Sequence, residues 1–207
     1  MKKIFLDVGA WKGTVTQFFI NIVPDSKEYE FHLFEPHPQL LEKYLYKLPE
    51  IETHNINFHP YAAWSSEKQI DFYIGKKKYS RSNSLISTKE TGNLDIENPI
   101  KIRTLDFNSF IKSNFTKDDF IICKMNIEGA EYEILPHMFS NGSVNYIKKL
   151  YVSWHYKKIN YSEEMHNHLI EHIKSETQLF GWDIDENDDS SLINEHNVKW
   201  FNETLQK

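Results

Sequence analysis

The chain has 207 residues, of which 24 are Lys or Arg and 30 are Asp or Glu, so its formal net charge is −6, and this balance argues against nucleic acid as the main partner. No apolar run approaches the roughly 20 residues that a helix needs to span a bilayer, so we expect no membrane span. The lone cysteine, Cys123, cannot form a disulfide within the chain, which favours a reducing, cytoplasmic compartment.

Apolar runs alternate with helical patterns along the chain, and this alternation predicts an α/β fold with a mostly parallel sheet. We expect one domain over residues 1–207. The first predicted strand begins close to the start of the chain, so the chain could also be one module of a larger protein. Residues 182–184 and 198–201 are predicted to form a final antiparallel pair. The other predicted strands cover residues 4–8, 31–34, 56–62, 70–74, 100–103, 120–125 and 150–154. The predicted helices cover residues 14–23, 40–48, 107–111, 130–138 and a segment capped by Ser162.

A long polar segment, residues 76–98, interrupts this alternation. Loops of this length in a compact domain are usually functional or disordered, and we expect this one to lie on the acceptor side of an active site. It contains Lys76, Lys77, Lys78 and Arg81. Such a run is typical of a solvated face, but beside an active site it could receive an anionic substrate.

A glycine loop follows the first predicted strand and opens the first predicted helix. Its candidate ligand contacts are Asp7, Gly9, Ala10 and Gly13. Glycines let the backbone approach a ligand closely, the helix N-terminus offers free N–H groups, and Asp7 could accept hydrogen bonds from a ligand ammonium. The spacing Gly-x-x-x-Gly is not the dinucleotide fingerprint Gly-x-Gly-x-x-Gly. A plain strand-to-helix turn is the alternative interpretation.

An acid, Glu35, ends the second predicted strand within the motif Phe34-Glu35-Pro36. An acid at this position can accept both hydroxyls of a ribose, although a surface glutamate is the simpler alternative. A ligand with a ribose and an amino-acid end fits both the glycine loop and Glu35. We therefore predict S-adenosylmethionine as the cofactor.

Polar residues alternate through the end of the central predicted strand, where Lys124, Asn126 and Glu128 point the same way. Open α/β sheets bind ligands at the carboxyl ends of their strands, and burying three polar groups without a purpose would be costly. The three residues are therefore candidate site residues, and a structural ion pair between Lys124 and Glu128 is the alternative.

Six motifs occur in a set order: the glycine loop, Phe34-Glu35-Pro36, Tyr61-Ala62-Ala63-Trp64-Ser65, Ser82-Asn83-Ser84-Leu85, Thr104-Leu105-Asp106 and Lys124-Met125-Asn126-Ile127-Glu128-Gly129-Ala130-Glu131. Together they resemble the FkbM family of S-adenosylmethionine-dependent methyltransferases, from about residue 4 to residue 155. The resemblance implies a Rossmann-like class I methyltransferase fold, with a seven-stranded mostly parallel sheet, helices on both faces and an antiparallel last strand. It also implies O-methylation, often of a sugar or a secondary-metabolite hydroxyl, and adds Ala62 to the candidate cofactor contacts.

Two positions depart from the pattern of the family. Trp11 stands where the family tends to have Asn, and it adds bulk to the cofactor loop. Asn126 stands where the family tends to have Asp, so a carboxylate is missing next to the reacting methyl group.

An alcohol is a poor nucleophile, so a base or a metal is expected beside the acceptor hydroxyl. The candidate bases are Glu128 and His155, which ends the predicted strand 150–154. Lys124 would hold Glu128 ionised or stabilise a developing alkoxide. Asn126, Glu128 and His155 could instead hold a divalent metal, although two neutral ligands disfavour tight Mg²⁺ binding, and we assign no metal.

The sequence thus predicts an O-methyltransferase that acts on a small-molecule or glycan acceptor. A nucleotide-dependent oxidoreductase is one alternative, and the missing dinucleotide fingerprint counts against it. A catalytically degenerate module that binds the cofactor without turnover is the other, and Asn126 is the residue that suggests it.

Overall fold

The computed structural model describes residues 1–182 and 194–206, and a parallel β-sheet forms its centre. The strands of the described residues are β1 (Lys3–Val8), β2 (Tyr29–Phe34), β3 (Asn55–His59), β4 (Ala62–Trp64), β5 (Gln69–Gly75), β6 (Leu94–Asp106), β7 (Phe120–Met125), β8 (Ile147–Val152) and β9 (Gln178–Gly181). The main sheet has the order β3-β2-β1-β7-β8-β9, and each neighbouring pair in it is parallel.

Helices cover both faces of this sheet, and each face has its own core. Because side chains alternate across a strand, Ile4 and Leu6 of β1 pack into one core, whereas Phe5 packs into the other. The helices of the described residues are α1 (Thr14–Ile22), α2 (Pro38–Lys43), α3 (Phe107–Asn114), α4 (Glu131–Ser140), α5 (Glu163–Lys174) and α6 (Glu195–Gln206). The first core includes residues of α3, α4 and α5, and the second includes residues of α1, α2 and α6.

A smaller sheet of β4, β6 and β5 follows β3 along the chain. In this sheet β6 is parallel to β4 and antiparallel to β5. Residues 76–93 connect β5 to β6, and an isolated bridge between Tyr73 and Ser84 ties this segment back to β5.

Most predicted elements are confirmed, including the strand Phe120–Met125 with its predicted bounds and the Ser162 cap, whose hydroxyl accepts a hydrogen bond from Met165 N. The predicted helix 40–48 is shorter than expected, because α2 ends at Lys43 and a 3₁₀ turn, Leu45–Lys47, follows it. The polar segment 76–98 is also shorter, because β6 already begins at Leu94.

The prediction of a final antiparallel pair is wrong at residues 198–201. These residues lie in α6, where Val198, Phe201 and Leu205 share one face and pack into the second core. Residues 183 and 184 of that pair lie outside the described residues. The α/β fold class is confirmed, but in the described residues the main sheet has six strands rather than the expected seven. The last strand was expected to be antiparallel, whereas β9 is parallel to β8 because α5 crosses over between them. In residues 1–182 and 194–206, no helix is both long and apolar enough to cross a bilayer.

Candidate functional site

A cleft opens at the carboxyl edge of the main sheet, where β1, β2 and β7 end. This is the edge at which open α/β sheets bind ligands. Apolar side chains of Val8, Phe34, Leu40 and Phe72 form part of its wall. The predicted site residues that line it are Gly9, Glu35, Ala62, Asn126 and Glu128.

The glycine loop is fixed over the end of β2. The backbone N–H groups of Gly9 and Ala10 both donate to the carbonyl oxygen of Phe34, at 3.0 Å each. Gly9 has a φ of +81°, and a Cβ atom built on it would lie 2.1 Å from the carbonyl oxygen of Asn126. Glycine is therefore required here for both its conformation and its size.

Ala10 and Gly13 lie behind the cleft rather than in its lining. Ala10 is buried in the second core, and Gly13 is the N-cap of α1, packed against Leu45 and Leu48. Both residues therefore shape the loop from its helix side, and their contact with the cofactor stays a prediction.

Replacing Gly9 by Ala should strongly destabilise the fold. The added Cβ meets a backbone carbonyl, and the positive φ is unfavourable for alanine, so we expect a loss of about 2–4 kcal/mol in the free energy of unfolding. Gly181→Ala is the matched control, because a Cβ there has no described atom within 4 Å. Urea unfolding of both variants measures the effect, and equal stability of the two would contradict this account of the loop.

Glu35 connects the glycine loop to the start of α2. Its Oε2 accepts a hydrogen bond from Trp11 N at 3.0 Å, and its Oε1 accepts one from His37 N at 2.9 Å. Burial raises the pKa of Glu35 to about 7, and the hydrogen bonds from His37 and Trp11 only partly offset this effect. Each carboxylate oxygen can accept a second hydrogen bond, so Glu35 can still receive donors from a ligand in the cleft.

Asp7 and Lys124 form a buried pair beneath the loop. They are partners in the register of β1 and β7, and Lys124 Nζ donates to Asp7 Oδ1 at 3.0 Å and to the Gly9 carbonyl at 2.9 Å. Asp7 Oδ2 also accepts a hydrogen bond from the Thr16 hydroxyl at 2.8 Å. The side chains of Asp7 and Lys124 are both almost completely buried, and Lys124 ties the end of β7 to the glycine loop. The predicted contact of Asp7 with a ligand ammonium and the predicted catalytic role of Lys124 stay predictions.

Glu128 follows β7 in a left-handed conformation, with a φ of +54°. Such a backbone is unfavourable for a glutamate and is often found at functional sites. Its Oε2 lies 2.6 Å from Lys89 Nζ and 3.5 Å from Lys158 Nζ, and its Oε1 lies 3.3 Å from His155 Nε2. The alternative of an ion pair between Glu128 and Lys124 is therefore wrong: lysines from other parts of the chain pair with Glu128.

Glu131 holds His155 from the other side. Its Oε1 lies 2.9 Å from His155 Nδ1 and accepts a hydrogen bond from His155 N at 2.9 Å. The imidazole ring thus bridges the two carboxylates of Glu128 and Glu131. His155 is almost completely buried by this arrangement, and it lies behind the cleft rather than in its lining.

The two candidate bases carry opposite charges at neutral pH. Burial alone would raise the pKa of Glu128, but the hydrogen bond from His155 and the charges of His155 and Lys89 lower it to about 2. Burial alone would lower the pKa of His155, but its hydrogen bonds to Glu128 and Glu131 raise it to about 9. These pKa directions leave His155 protonated and Glu128 ionised at neutral pH, so they favour Glu128 over His155 as the base.

The residues around Glu128 do not fit a divalent cation. In the described part of the chain, no group of three His, Cys, Asp or Glu residues is arranged to hold a metal ion. Both ring nitrogens of His155 face carboxylates, and Lys89 and Lys158 already place positive charge beside Glu128. The alternative ligand set of Asn126, Glu128 and His155 is therefore not supported by the arrangement of its side chains.

Sequence reasoning missed three residues that support Glu128. The Ser84 hydroxyl donates to the Glu128 carbonyl at 2.8 Å, so the motif at residues 82–85 holds the strained backbone. Glu131 lies inside the motif that begins at Lys124, but its role depends on His155, which is distant in sequence. The sequence did not point to Lys89, because nothing in a polar segment predicts that the side chain of one of its lysines is buried.

An open α/β sheet with a glycine loop after β1 and an acid after β2 defines the Rossmann-like class of nucleotide- and cofactor-binding proteins. The chain also matches the sequence profile of the Methyltransferase FkbM domain over residues 7–180. It therefore belongs to the FkbM methyltransferase family, as the ordered motifs predicted. No curated protein and no solved structure matches the chain significantly.

Proposed function

We propose that this methyltransferase uses S-adenosylmethionine to methylate a hydroxyl group of a sugar, a glycan or a related small molecule. The observation that carries the proposal is the cleft at the ends of β1, β2 and β7, where Gly9, Glu35 and Asn126 lie together. We also propose a cytoplasmic location and an acceptor that is not a nucleic acid, from the single buried Cys123 and the net charge.

The cleft residues fit the chemistry of S-adenosylmethionine. Glu35 has acceptor capacity for ribose hydroxyls, and Gly9 leaves its backbone open to close approach. Phe34, Leu40 and Phe72 offer an apolar wall that suits an adenine ring. When bound, S-adenosylmethionine supplies a methyl group on a positively charged sulfur.

Glu128 is the group that would receive the proton of the acceptor hydroxyl. It lines the cleft, and its low pKa keeps it ionised at neutral pH, so it can accept a hydrogen bond from a hydroxyl there. A hydroxyl oxygen that gains a methyl group becomes strongly acidic, so a weak base is sufficient to remove its proton. His155 and Lys89 orient this carboxylate, and the remaining catalysis comes from alignment of the hydroxyl.

Calorimetry and a transfer assay on the whole chain test the proposal. We expect S-adenosylmethionine to bind and NAD not to bind, and we expect radiolabelled methyl groups to appear on hydroxyl acceptors of a glycan panel. Binding of NAD alone would favour the oxidoreductase. Binding of S-adenosylmethionine with no transfer to any member of the panel would favour the degenerate binding module.

A further inference from the structure

The connection between β5 and β6 crosses the end of β7 and is fixed on two sides of Glu128. On one side, the backbone of Ser84 exchanges hydrogen bonds with Tyr73 of β5 at 2.9 and 3.0 Å, and the Ser84 hydroxyl donates to the Glu128 carbonyl at 2.8 Å. On the other side, the N–H group of Glu90 donates to the carbonyl of Lys158, in the turn after β8, at 2.9 Å. The connection therefore spans the region around the candidate base.

Lys89 is the residue through which this connection contacts the Glu128 side chain. Its side chain is completely buried, and its Nζ lies 2.6 Å from Glu128 Oε2. The same Nζ donates to the Ser82 carbonyl at 2.8 Å, so the lysine is also bonded to its own connection. A buried lysine is costly unless it is paired and hydrogen-bonded. The position of the connection and the position of the Glu128 carboxylate therefore depend on each other.

Other charged groups also surround this contact. Lys158 Nζ lies 3.5 Å from Glu128 Oε2, and His155 Nε2 lies 3.3 Å from Glu128 Oε1. Glu131 contacts the other nitrogen of the His155 ring. The side chain of Lys158 is 38% exposed, whereas that of Lys89 is 0% exposed, so water screens the charge of Lys158 more. Of the two lysines, Lys89 is therefore the one that acts more strongly on Glu128.

We propose that Lys89 is a positioning residue for the reaction, because it couples the position of the β5–β6 connection to that of the Glu128 carboxylate. When the connection lies over the end of β7, Lys89 holds the carboxylate. When the connection lifts, Lys89 leaves with it, and Glu128 loses its nearest lysine. This proposal rests on the proposed function, because Glu128 is the base proposed there. It adds that the connection must be in place for the base to be oriented.

Hydrogen exchange of the full chain, without cofactor or acceptor, tests one half of the coupling. In Lys89→Met we expect the amides of Ser84 and Glu90 to exchange about tenfold faster or more, because the connection loses its buried contact. Lys77→Met is the matched control, since Lys77 is an exposed lysine of the same connection, and it should show wild-type exchange. Coupling is reciprocal, so Glu128→Gln should also speed the exchange of both amides.

Carbon NMR of the Glu128 carboxyl group tests the other half. Burial raises the pKa of Glu128, but His155 and Lys89 lower it to about 2, so the wild-type carboxyl should stay ionised down to about pH 3. In Lys89→Met the titration should move up by about one pH unit or more, whereas Lys89→Arg keeps the charge and should retain the low pKa. Lys158→Met also removes a charge beside Glu128, but it keeps the carbonyl that binds Glu90. It should give a smaller shift and leave the amide exchange unchanged.

A double-mutant cycle with an acceptor from the glycan panel tests whether Lys89 acts through Glu128. Lys89→Met should lower kcat about tenfold or more and leave the Kd for S-adenosylmethionine unchanged. In a protein that already carries Glu128→Gln, the same change should have little further effect on kcat. Fully independent effects of the two changes would overturn the proposal.

Three further results would overturn it. Either wild-type exchange or a wild-type titration in Lys89→Met is the first, and equal losses in Lys89→Arg and Lys89→Met, which packing alone would explain, are the second. The third is unchanged exchange in Glu128→Gln, which decides the question even if Lys89→Met does not fold. If the wild-type protein does not bind S-adenosylmethionine, the proposed function fails, but the exchange and NMR results still determine whether Lys89 couples the connection to Glu128.

Discussion

Replacing Glu35 by Ala should weaken the binding of S-adenosylmethionine by about 1–3 kcal/mol, which is about 5- to 150-fold in Kd. Two causes add together. The ribose hydroxyls lose a charged acceptor, and the N–H groups of Trp11 and His37 lose the carboxylate that holds the loop. Glu171→Ala is the control, because Glu171 is exposed on α5. Calorimetry measures both variants, and an unchanged Kd in the Glu35 variant would reject the assignment of this residue to the cofactor.

The affinity of the wild-type protein for S-adenosylmethionine should also rise with pH through about 7. Burial raises the pKa of Glu35 to about 7 in the free protein, and ligand hydroxyls donate to the ionised form. Below that pKa the protonated form must first lose its proton, so the affinity should fall about tenfold for each pH unit. Glu35→Gln should remove this dependence because it does not titrate. Wild-type affinity that stays constant from about pH 5.5 to about pH 8.5 would contradict the raised pKa.

Replacing Glu128 by Gln should lower kcat by about 10²–10⁴-fold, the usual effect of removing a positioned base. The Kd for S-adenosylmethionine should change little, because the contacts predicted for the cofactor lie on Gly9, Glu35 and Asn126. Glu133→Gln is the control, since Glu133 lies on α4 shortly after Glu128 in the chain and is exposed. Near-wild-type kcat in Glu128→Gln would mean that alignment alone is responsible for catalysis.

The pH profile separates Glu128 from His155 in this reaction. If His155 were the base, activity would rise through about pH 6–7, near the usual pKa of an imidazole. Glu128 and Glu131 raise the pKa of His155 to about 9. We therefore expect activity to fall as the pH rises through about 9, because His155 then loses its proton and no longer forms an ion pair with Glu128. His155→Gln should show reduced kcat without this fall. Urea unfolding is the accompanying control, because the stability that His155 contributes is fully present below about pH 6.5 and is also lost as the pH rises through about 9.

Local patterns were sufficient to predict the frame of the fold and the position of the cleft. The strand Phe120–Met125 was predicted with its exact bounds because a continuous apolar run is typical of a strand buried on both faces. The glycine loop and Glu35 were found because their chemistry depends on neighbours in the sequence. Local patterns were not sufficient for residues 198–201, because a short apolar run fits either a strand or a helix. Packing against the second core favours the helix α6 for these residues.

Tertiary structure decided the partners and the protonation states of the polar residues. Lys124 pairs with Asp7, which lies 117 positions away in sequence, because β1 and β7 are neighbours in the sheet. Lys89 reaches Glu128 only because residues 76–93 fold back over the end of β7. Charge interactions act over a few ångströms in space, and burial strengthens them. The sequence by itself therefore determined which groups could do chemistry. Only the three-dimensional fold determined that Glu128 is ionised and His155 is protonated.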